Sequence, residues 1–292
     1  MTDIMISGSA DIGPPGREAW RMFFRNKAAV GGLIMLIGVI FMTYIGPLIY
    51  TEDPADIVAR PLKGPGSPDI PILGTDYLGR DVFAGVINGG STSLQVAMVA
   101  ALLIVLIGVT IGALAGFYGG WIDNVLMRFT ELFQVLPALL FSMVVVALFE
   151  PKPQTISIAI GVVLWPQLAR LTRAEFLRLK NLEFVKAARA IGSSDFRIMS
   201  RVIFPNALPP LIVATTLVMG GAILFEAGLA FLGLGDPNHV SWGLMIGLNR
   251  ANFLTSWWTV TFPGMAIFVT VLSFSLIGDG LQDAFNPKLR GR

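Results

Sequence analysis

Few side chains in this sequence are suited to acid–base or metal chemistry. The 292 residues include one histidine, His239, and no cysteine. A zinc site built from histidine and cysteine ligands, and a cysteine–histidine catalytic pair, are therefore excluded within this chain. No segment matches the phosphate-binding pattern Gly-x-x-x-x-Gly-Lys-Ser/Thr. We therefore predict a protein that is not an enzyme, with no metal site and no cofactor held by this chain.

The composition is that of a membrane protein. Hydrophobic residues make up 54% of the chain, charged residues 14%, and the mean hydropathy is +0.71. A water-soluble chain carries charge on about a quarter of its residues, so an ordinary soluble protein is excluded. The formal net charge of +2 is too small to indicate a nucleic-acid partner.

Six stretches are apolar and long enough to cross about 30 Å of hydrocarbon, which takes about 20 residues in a helix. They are residues 28–51, 93–115, 132–149, 153–169, 202–225 and 251–278. We therefore predict an all-α polytopic protein with six transmembrane helices. The run Asn88-Gly89-Gly90-Ser91 predicts a break between an interfacial segment, which begins near Asp81, and the second span.

The basic residues are divided unequally between the two sides of these spans. Of 21 lysines and arginines, 16 fall on the side of both termini and five on the other. Since basic residues are retained in the cytoplasm, both termini are predicted to be cytoplasmic, and segments 52–81 and 235–250 to face outward. The predicted parts are a tail, 1–27, disordered at its start and not a cleaved signal peptide; a membrane domain, 28–278; and a second tail, 279–292.

The loop at 170–206 has a pattern of its own. Four apolar residues recur there at helical spacing: Leu182, Val185, Ala188 and Ile191. Gly192 stands where a helix would stop, and Ser193 and Ser194 offer an N-cap for a second helix. The pattern predicts two short helices joined by a tight turn. The pair is either a basic hairpin on anionic lipid headgroups or a docking element for a cytoplasmic partner.

The spacing in this loop also carries a resemblance to a known family. Ala187-Ala188, three residues, Gly192, nine residues and a segment ending at Pro205 resemble the EAA loop of ABC importer permeases. Four ordered segments further resemble the C-type permease of dipeptide, oligopeptide and nickel importers: 74–81, 187–210, 231–235 and 278–284. Lys186 stands where the motif has glutamate, so that position is not carried over.

The resemblance implies a fold, a function and a set of partners. It implies the type I permease fold of an importer in the inner membrane of a prokaryote, with half of a path for short peptides. The implied partners are a homologous sister permease, two ATPase subunits that bind ATP and magnesium, an extracytoplasmic solute-binding protein and membrane lipid. Ala187, Ala188, Gly192 and Pro205 would couple to the ATPases. Nickel chelates or oligosaccharides are alternative solutes, and a stand-alone secondary transporter or channel is the alternative of another class.

Within the spans, Glu226 is the residue that most needs an explanation. An ionised carboxylate at membrane depth costs several kcal/mol unless it is paired, protonated or hydrated. It either faces the translocation pathway or makes a structural hydrogen bond to the neighbouring permease subunit. Gly108, Gly112 and Gly116 share one face of the second span and predict close approach of another helix, in this chain or between subunits.

Two features lie in the regions predicted to face outward. The segment 74–81 is either a binding loop for a solute receptor or a turn in which Thr75 or Asp76 caps the helix that begins near Asp81. Trp242, Trp257 and Trp258 predict an interfacial aromatic belt. On the cytoplasmic side, Arg128 and Glu131 are spaced to form an ordinary pair on one helix.

Overall fold

A computed structural model describes residues 15–66 and 70–285. The predicted disorder at the start of the first tail, and the last seven residues of the second, lie outside the described residues. The helices are, in chain order, α1 (Pro15–Arg25), α2 (Lys27–Tyr44), α3 (Gly46–Ile49), α4 (Val82–Tyr118), α5 (Gly120–Val135), α6 (Ala138–Leu148), α7 (Pro153–Leu179), α8 (Glu183–Ala190), α9 (Asp195–Arg197), α10 (Phe204–Leu229), α11 (Trp242–Asn249) and α12 (Trp258–Phe285). Two π-helical segments, Ile198–Ile203 and Ala230–Leu234, flank α10. No β-strand occurs in the described ranges, which confirms the all-α class.

Five of these helices are long and apolar enough to cross a membrane, and a sixth span is broken. The five are Lys27–Tyr44, Val82–Tyr118, Pro153–Leu179, the continuous run Asp195–Leu234, and Trp258–Phe285. Helices α5 and α6 pass the same test only as a pair, bent by 84°. Pro137 lies at the bend, where it forces Leu136 into an extended conformation (ψ 131°) and so ends α5.

The first and last described helices meet at one end of the bundle. The Asn26 side-chain amide donates a hydrogen bond of 3.0 Å to Asp283 Oδ2, and Phe23 packs in a small apolar cluster with Ala29 and Ala284. We call this the basal end, and the end formed by segment 52–81 and α11 the distal end. Residues 15–25 of the predicted first tail are helical, and α12 continues to Phe285, into the predicted second tail.

The predicted break at residues 88–91 is wrong, because α4 runs without interruption through it. The polar side chains are satisfied by the helix itself: Asn88 Nδ2 donates to the Ala84 carbonyl at 2.9 Å, and Ser91 Oγ to the Asn88 carbonyl at 2.7 Å. Gly90 is a packing residue, since a Cβ there would lie 2.3 Å from Thr43 Oγ1 and 2.7 Å from the Trp242 ring. With 37 residues, α4 is about 55 Å long and extends beyond the hydrocarbon.

The glycine face of α4 packs against α7 of the same chain. A Cβ at Gly112 would lie 2.3 Å from the Ala169 carbonyl oxygen, and one at Gly116 would lie 2.7 Å from that of Arg173. A Cβ at Gly108 would meet α7 at 3.0 Å. The close approach predicted for these glycines is therefore made within the chain, and the two helices form the centre of the main apolar cluster.

Candidate functional site

The loop between α7 and α10 folds as two short helices around Gly192. Helix α8 ends before Gly192, whose φ of +81° is a left-handed conformation that glycine adopts without steric cost. The turn is closed by hydrogen bonds from the Gly192 N–H to the Arg189 carbonyl at 3.0 Å and from the Ser193 N–H to the Ala188 carbonyl at 3.1 Å. Ser194 is the N-cap residue of α9 but makes no side-chain cap hydrogen bond.

Some apolar side chains of this hairpin are buried in the bundle and others are exposed. Val185 and Ile198 are buried, with 1% and 0% of their surface exposed, and hold the hairpin to the bundle. Four large apolar side chains of the hairpin are exposed instead: Leu182 by 40%, Phe184 by 42%, Ile191 by 82% and Phe196 by 74%. We call these four residues the docking face. An exposed apolar cluster of this kind is typical of a protein interaction site.

The four residues carried over from the EAA pattern lie in or beside this hairpin. Ala187 and Gly192 are exposed, Ala188 is half-buried, and Pro205 is exposed in the first turn of α10, where its missing N–H is not needed. Lys186, in place of the motif's glutamate, pairs with Glu183 of its own helix at 2.8 Å, with both side chains exposed. Their role in coupling stays a prediction.

Glu226 is enclosed within the chain. Only 2% of its surface is exposed, and Ser93 Oγ donates to its Oε2 at 3.1 Å. The Trp242 N–H in turn donates to Ser93 Oγ at 3.3 Å, so the group links α10, α4 and α11. Glu226 therefore has a hydrogen-bond partner within its own chain. The pathway role of Glu226 stays a prediction, and these contacts favour a structural one.

The distal segment 74–81 folds as a turn that side-chain hydrogen bonds stabilise. The predicted cap by Thr75 or Asp76 is wrong: Asp81 caps α4, with its Oδ1 accepting from the Phe83 N–H at 2.7 Å and the Ala84 N–H at 3.3 Å. Thr75 instead ties the turn to the preceding segment, donating to the Arg60 carbonyl at 2.7 Å. Thr75 and Asp76 therefore stabilise the loop that precedes α4.

Two of the three tryptophans predicted for an interfacial belt are buried, and that prediction is wrong for them. Trp242 is fully buried and donates from Nε1 to the Val86 carbonyl at 2.8 Å. Trp258, 7% exposed, donates from Nε1 to the Thr75 carbonyl at 3.1 Å. In both residues the indole N–H donates to a backbone carbonyl oxygen, so burial of the ring leaves no polar group unsatisfied. Trp257 is exposed.

Two charged contacts lie outside the apolar core, one near each end of the bundle. Arg128 and Glu131 form the predicted exposed pair at 3.3 Å. His239 is exposed in the loop before α11, with Nδ1 2.7 Å from Asp236 Oδ2. Burial alone would raise the pKa of Asp236. The hydrogen bonds from the Asn238 N–H and the His239 ring outweigh burial and hold that pKa below its usual value.

Sequence reasoning missed an ion pair between two helices. Arg173 on α7 forms a two-pronged contact with Asp123 on α5, at 2.5 Å from Nε and 2.6 Å from an η nitrogen. The residues are 50 positions apart, and no local pattern connects them. The pair fixes α5 beside α7 at the basal end.

Comparison with known proteins identifies the family. Residues 108–291 match the family described as "Binding-protein-dependent transport system inner membrane component". The chain belongs to this family. Residues 14–65 of the permease also match the "N-terminal TM domain of oligopeptide transport permease C". The predicted resemblance to C-type permeases is therefore confirmed, and the chain is a multi-pass component of a prokaryotic inner membrane.

Individual relatives extend over nearly the whole permease. It is 38% identical over 278 residues to the "Dipeptide transport system permease protein DppC" of Alkalihalophilus pseudofirmus, covering 94% of this chain and 91% of the relative. It is 36% identical to the "Glutathione transport system permease protein GsiD" of Pectobacterium atrosepticum, covering 94% and 92%.

A solved structure confirms the fold. The permease superposes on a chain of the MetNI methionine ABC transporter in an inward-facing conformation with a TM-score of 0.58 and 16% sequence identity. The match covers 69% of this chain and 97% of that one. The described helices therefore have the ABC importer permease fold, which the resemblance implied.

Proposed function

We propose that this permease forms half of the path for short peptides in an ATP-driven importer. A homologous sister permease supplies the other half, two ATPase subunits bind ATP and magnesium, and an extracytoplasmic solute-binding protein delivers the peptide. Two sequence relatives named above are permeases for a dipeptide and for glutathione, which supports peptides as the solute class. The chain itself contributes motion and a path, and no catalytic step.

The docking face is the observation that supports coupling to an ATPase. Its apolar side chains are exposed on a hairpin that Val185 and Ile198 pack into the bundle, so a partner bound there moves the hairpin as a unit. From α9 the chain continues in helical conformation through Ile198–Ile203 into α10, which ends at Leu229. Displacement of the docking face is therefore transmitted along α10, which packs on α4, α7 and α12.

The distribution of charge supports a cytoplasmic position for the docking face. The basal end holds α1, the hairpin and the end of α12, and 16 of the 21 basic residues belong to segments that the sequence assigns to this side. Since basic residues are retained in the cytoplasm, the basal end faces the ATPases and the distal end faces the solute-binding protein. Alternating access then follows from rocking of the two permease halves.

The direct test is co-purification. The tagged permease, expressed with its neighbours and extracted in mild detergent, should recover a second permease and ATPase chains with P-loop sequences. Gly192→Asp should reduce ATPase recovery and receptor-stimulated ATP hydrolysis, because it strains the turn and places a charge next to Ile191 of the docking face. Gly120→Asp is the matched control, since Gly120 is also exposed at the basal end with a positive φ of +57° but lies outside the hairpin. Recovery of ATPases unchanged by Gly192→Asp would contradict the coupling role.

A further inference from the structure

Arg80, at the distal end, is a cation without an acidic partner among residues 15–66 and 70–285. Its Nε is buried and has no hydrogen-bond acceptor within the described residues. No carboxylate in that part of the chain lies within 4.0 Å of its guanidinium, although Asp76 and Asp81 belong to the same turn. Burying part of a guanidinium without an acceptor is costly, so the site is organised for an anion that arrives from elsewhere.

The neighbouring aspartates are held by other groups. Asp81 caps α4 through Oδ1, and its Oδ2 accepts a short hydrogen bond from the Tyr50 hydroxyl. Burial, and then this hydrogen bond, raise the pKa of Tyr50 above its usual value, so the hydroxyl stays a donor. Asp76 Oδ1 accepts from the N–H groups of Leu78 and Arg80, both at 2.8 Å, while its Oδ2 has no hydrogen bond in the described residues.

Arg80 lines a recessed cavity of about 210 Å³ between the turn 74–81, the start of α4 and α11. Asp76 and Tyr77 share its polar wall. Its apolar wall is formed by Val82, Val240, Leu244, Met245 and Leu248. A free guanidinium at the edge of an apolar cavity suits a carboxylate that stands next to an apolar side chain.

The turn that presents Arg80 is rigid. Gly79 has a φ of +90°, and a Cβ there would lie 2.2 Å from the Ala59 carbonyl oxygen. The Gly79 carbonyl also accepts from the Val58 N–H at 3.0 Å, which ties the turn to the segment before it. The backbone that carries Arg80 is thus fixed before any ligand binds, which lowers the entropic cost of binding.

We propose that this distal cavity binds the carboxylate end of a short peptide, with the carboxylate on Arg80 and the apolar side chain of its last residue against Leu244 and Met245. This proposal rests on the proposed function. A cavity this small accepts the end of a peptide, since drug-sized ligands occupy about 300–1,000 Å³. A free dipeptide also carries an ammonium group, for which Asp76 Oδ2 is available, whereas an acidic side chain of a docked receptor carries a single charge.

The test uses the purified assembly in lipid nanodiscs without the solute-binding protein. The dipeptide Ala-Leu and its C-terminal amide, which lacks the carboxylate, are titrated by calorimetry. Ala-Leu should bind, and both amidation and Arg80→Gln should weaken binding by about tenfold to a hundredfold, as expected for one hydrogen-bonded charge pair. The two changes combined should weaken it no further. Arg60→Gln is the matched control, because Arg60 is exposed on the same distal segment and does not line the cavity.

Several results would overturn the proposal. These are no binding of Ala-Leu, equal affinities for Ala-Leu and its amide, or an affinity that Arg80→Gln leaves unchanged. Loss of receptor binding with unchanged peptide binding would instead assign Arg80 to a receptor carboxylate. The amide comparison on the unsubstituted assembly needs no variant, so it decides the matter even if Arg80→Gln fails to assemble. Receptor-dependent uptake of Ala-Leu without receptor-free binding would show that the distal cavity is not a peptide-binding site, and it would leave the proposed function intact.

Discussion

The hydroxyl of Ser93 on α4 donates a hydrogen bond of 3.1 Å to the carboxylate of Glu226 on α10, 133 residues later in the sequence. Both residues are buried. The bond joins the long second span to the helix that leads away from the docking face. A carboxylate enclosed in this way stabilises the contact between helices, and its exposure to a solute would require the two helices to separate.

Replacing this carboxylate separates a structural role from a pathway role. Glu226→Gln keeps an acceptor for Ser93, so we expect normal assembly and an unchanged rate and specificity of import. Glu226→Leu leaves Ser93 without its acceptor and should lower the free energy of unfolding by about 1–3 kcal/mol. Thermal unfolding in detergent and uptake assays measure the two effects. A changed peptide preference in a stable Glu226→Gln assembly would place the carboxylate in the pathway.

The contact between α4 and α7 should not tolerate even one added methyl group at its closest point. Gly112→Ala places a Cβ 2.3 Å from the Ala169 carbonyl oxygen and should cost about 1–3 kcal/mol through overpacking. Gly38→Ala on α2 is the control, since nothing lies within 4 Å of a Cβ there. Melting temperatures of the two purified variants test the difference. Equal values would show that α4 and α7 separate easily.

The ion pair between Asp123 and Arg173 should contribute more than the pair between Arg128 and Glu131. The Asp123 side chain is 13% exposed and contacted by two guanidinium nitrogens, whereas Arg128 is 85% exposed. We expect Arg173→Gln to lower the free energy of unfolding by about 1–3 kcal/mol, and Arg128→Gln by about 1 kcal/mol or less. A double-mutant cycle with Asp123→Asn isolates the interaction. A coupling energy near zero would contradict the stabilising role of the Asp123–Arg173 pair.

Hydropathy predicts the spans of this permease well because every helix that crosses the lipid must be predominantly apolar over about 20 residues. It fails where packing within the protein decides the outcome. Residues 88–91 look like a turn, but their glycines allow Trp242 and Thr43 to approach α4 closely. Hydropathy also does not show the bend in the predicted third span, 132–149: Pro137 ends α5, and α5 and α6 meet there at 84°.

The candidate sites show the same difference between local patterns, which the sequence predicts, and contacts between distant residues, which it does not. The hairpin around Gly192 is local, so its helical spacing and its stop residue predict the observed turn. The contact of Ser93 with Glu226 and that of Asp123 with Arg173 join distant parts of the chain, and no spacing in the sequence indicates them. The sequence also does not show that Arg80 lacks a carboxylate partner among the described residues, because Asp76 and Asp81 stand close to it in the chain.

The most direct test of the importer function is uptake of labelled Ala-Leu into proteoliposomes that contain the co-purified assembly. We predict uptake only when ATP and the solute-binding protein are both supplied, and a strong reduction by Ile191→Asp on the docking face, 82% exposed in the chain alone. Uptake by the permease alone, driven by an ion gradient without any ATPase, would contradict the account and identify a secondary transporter.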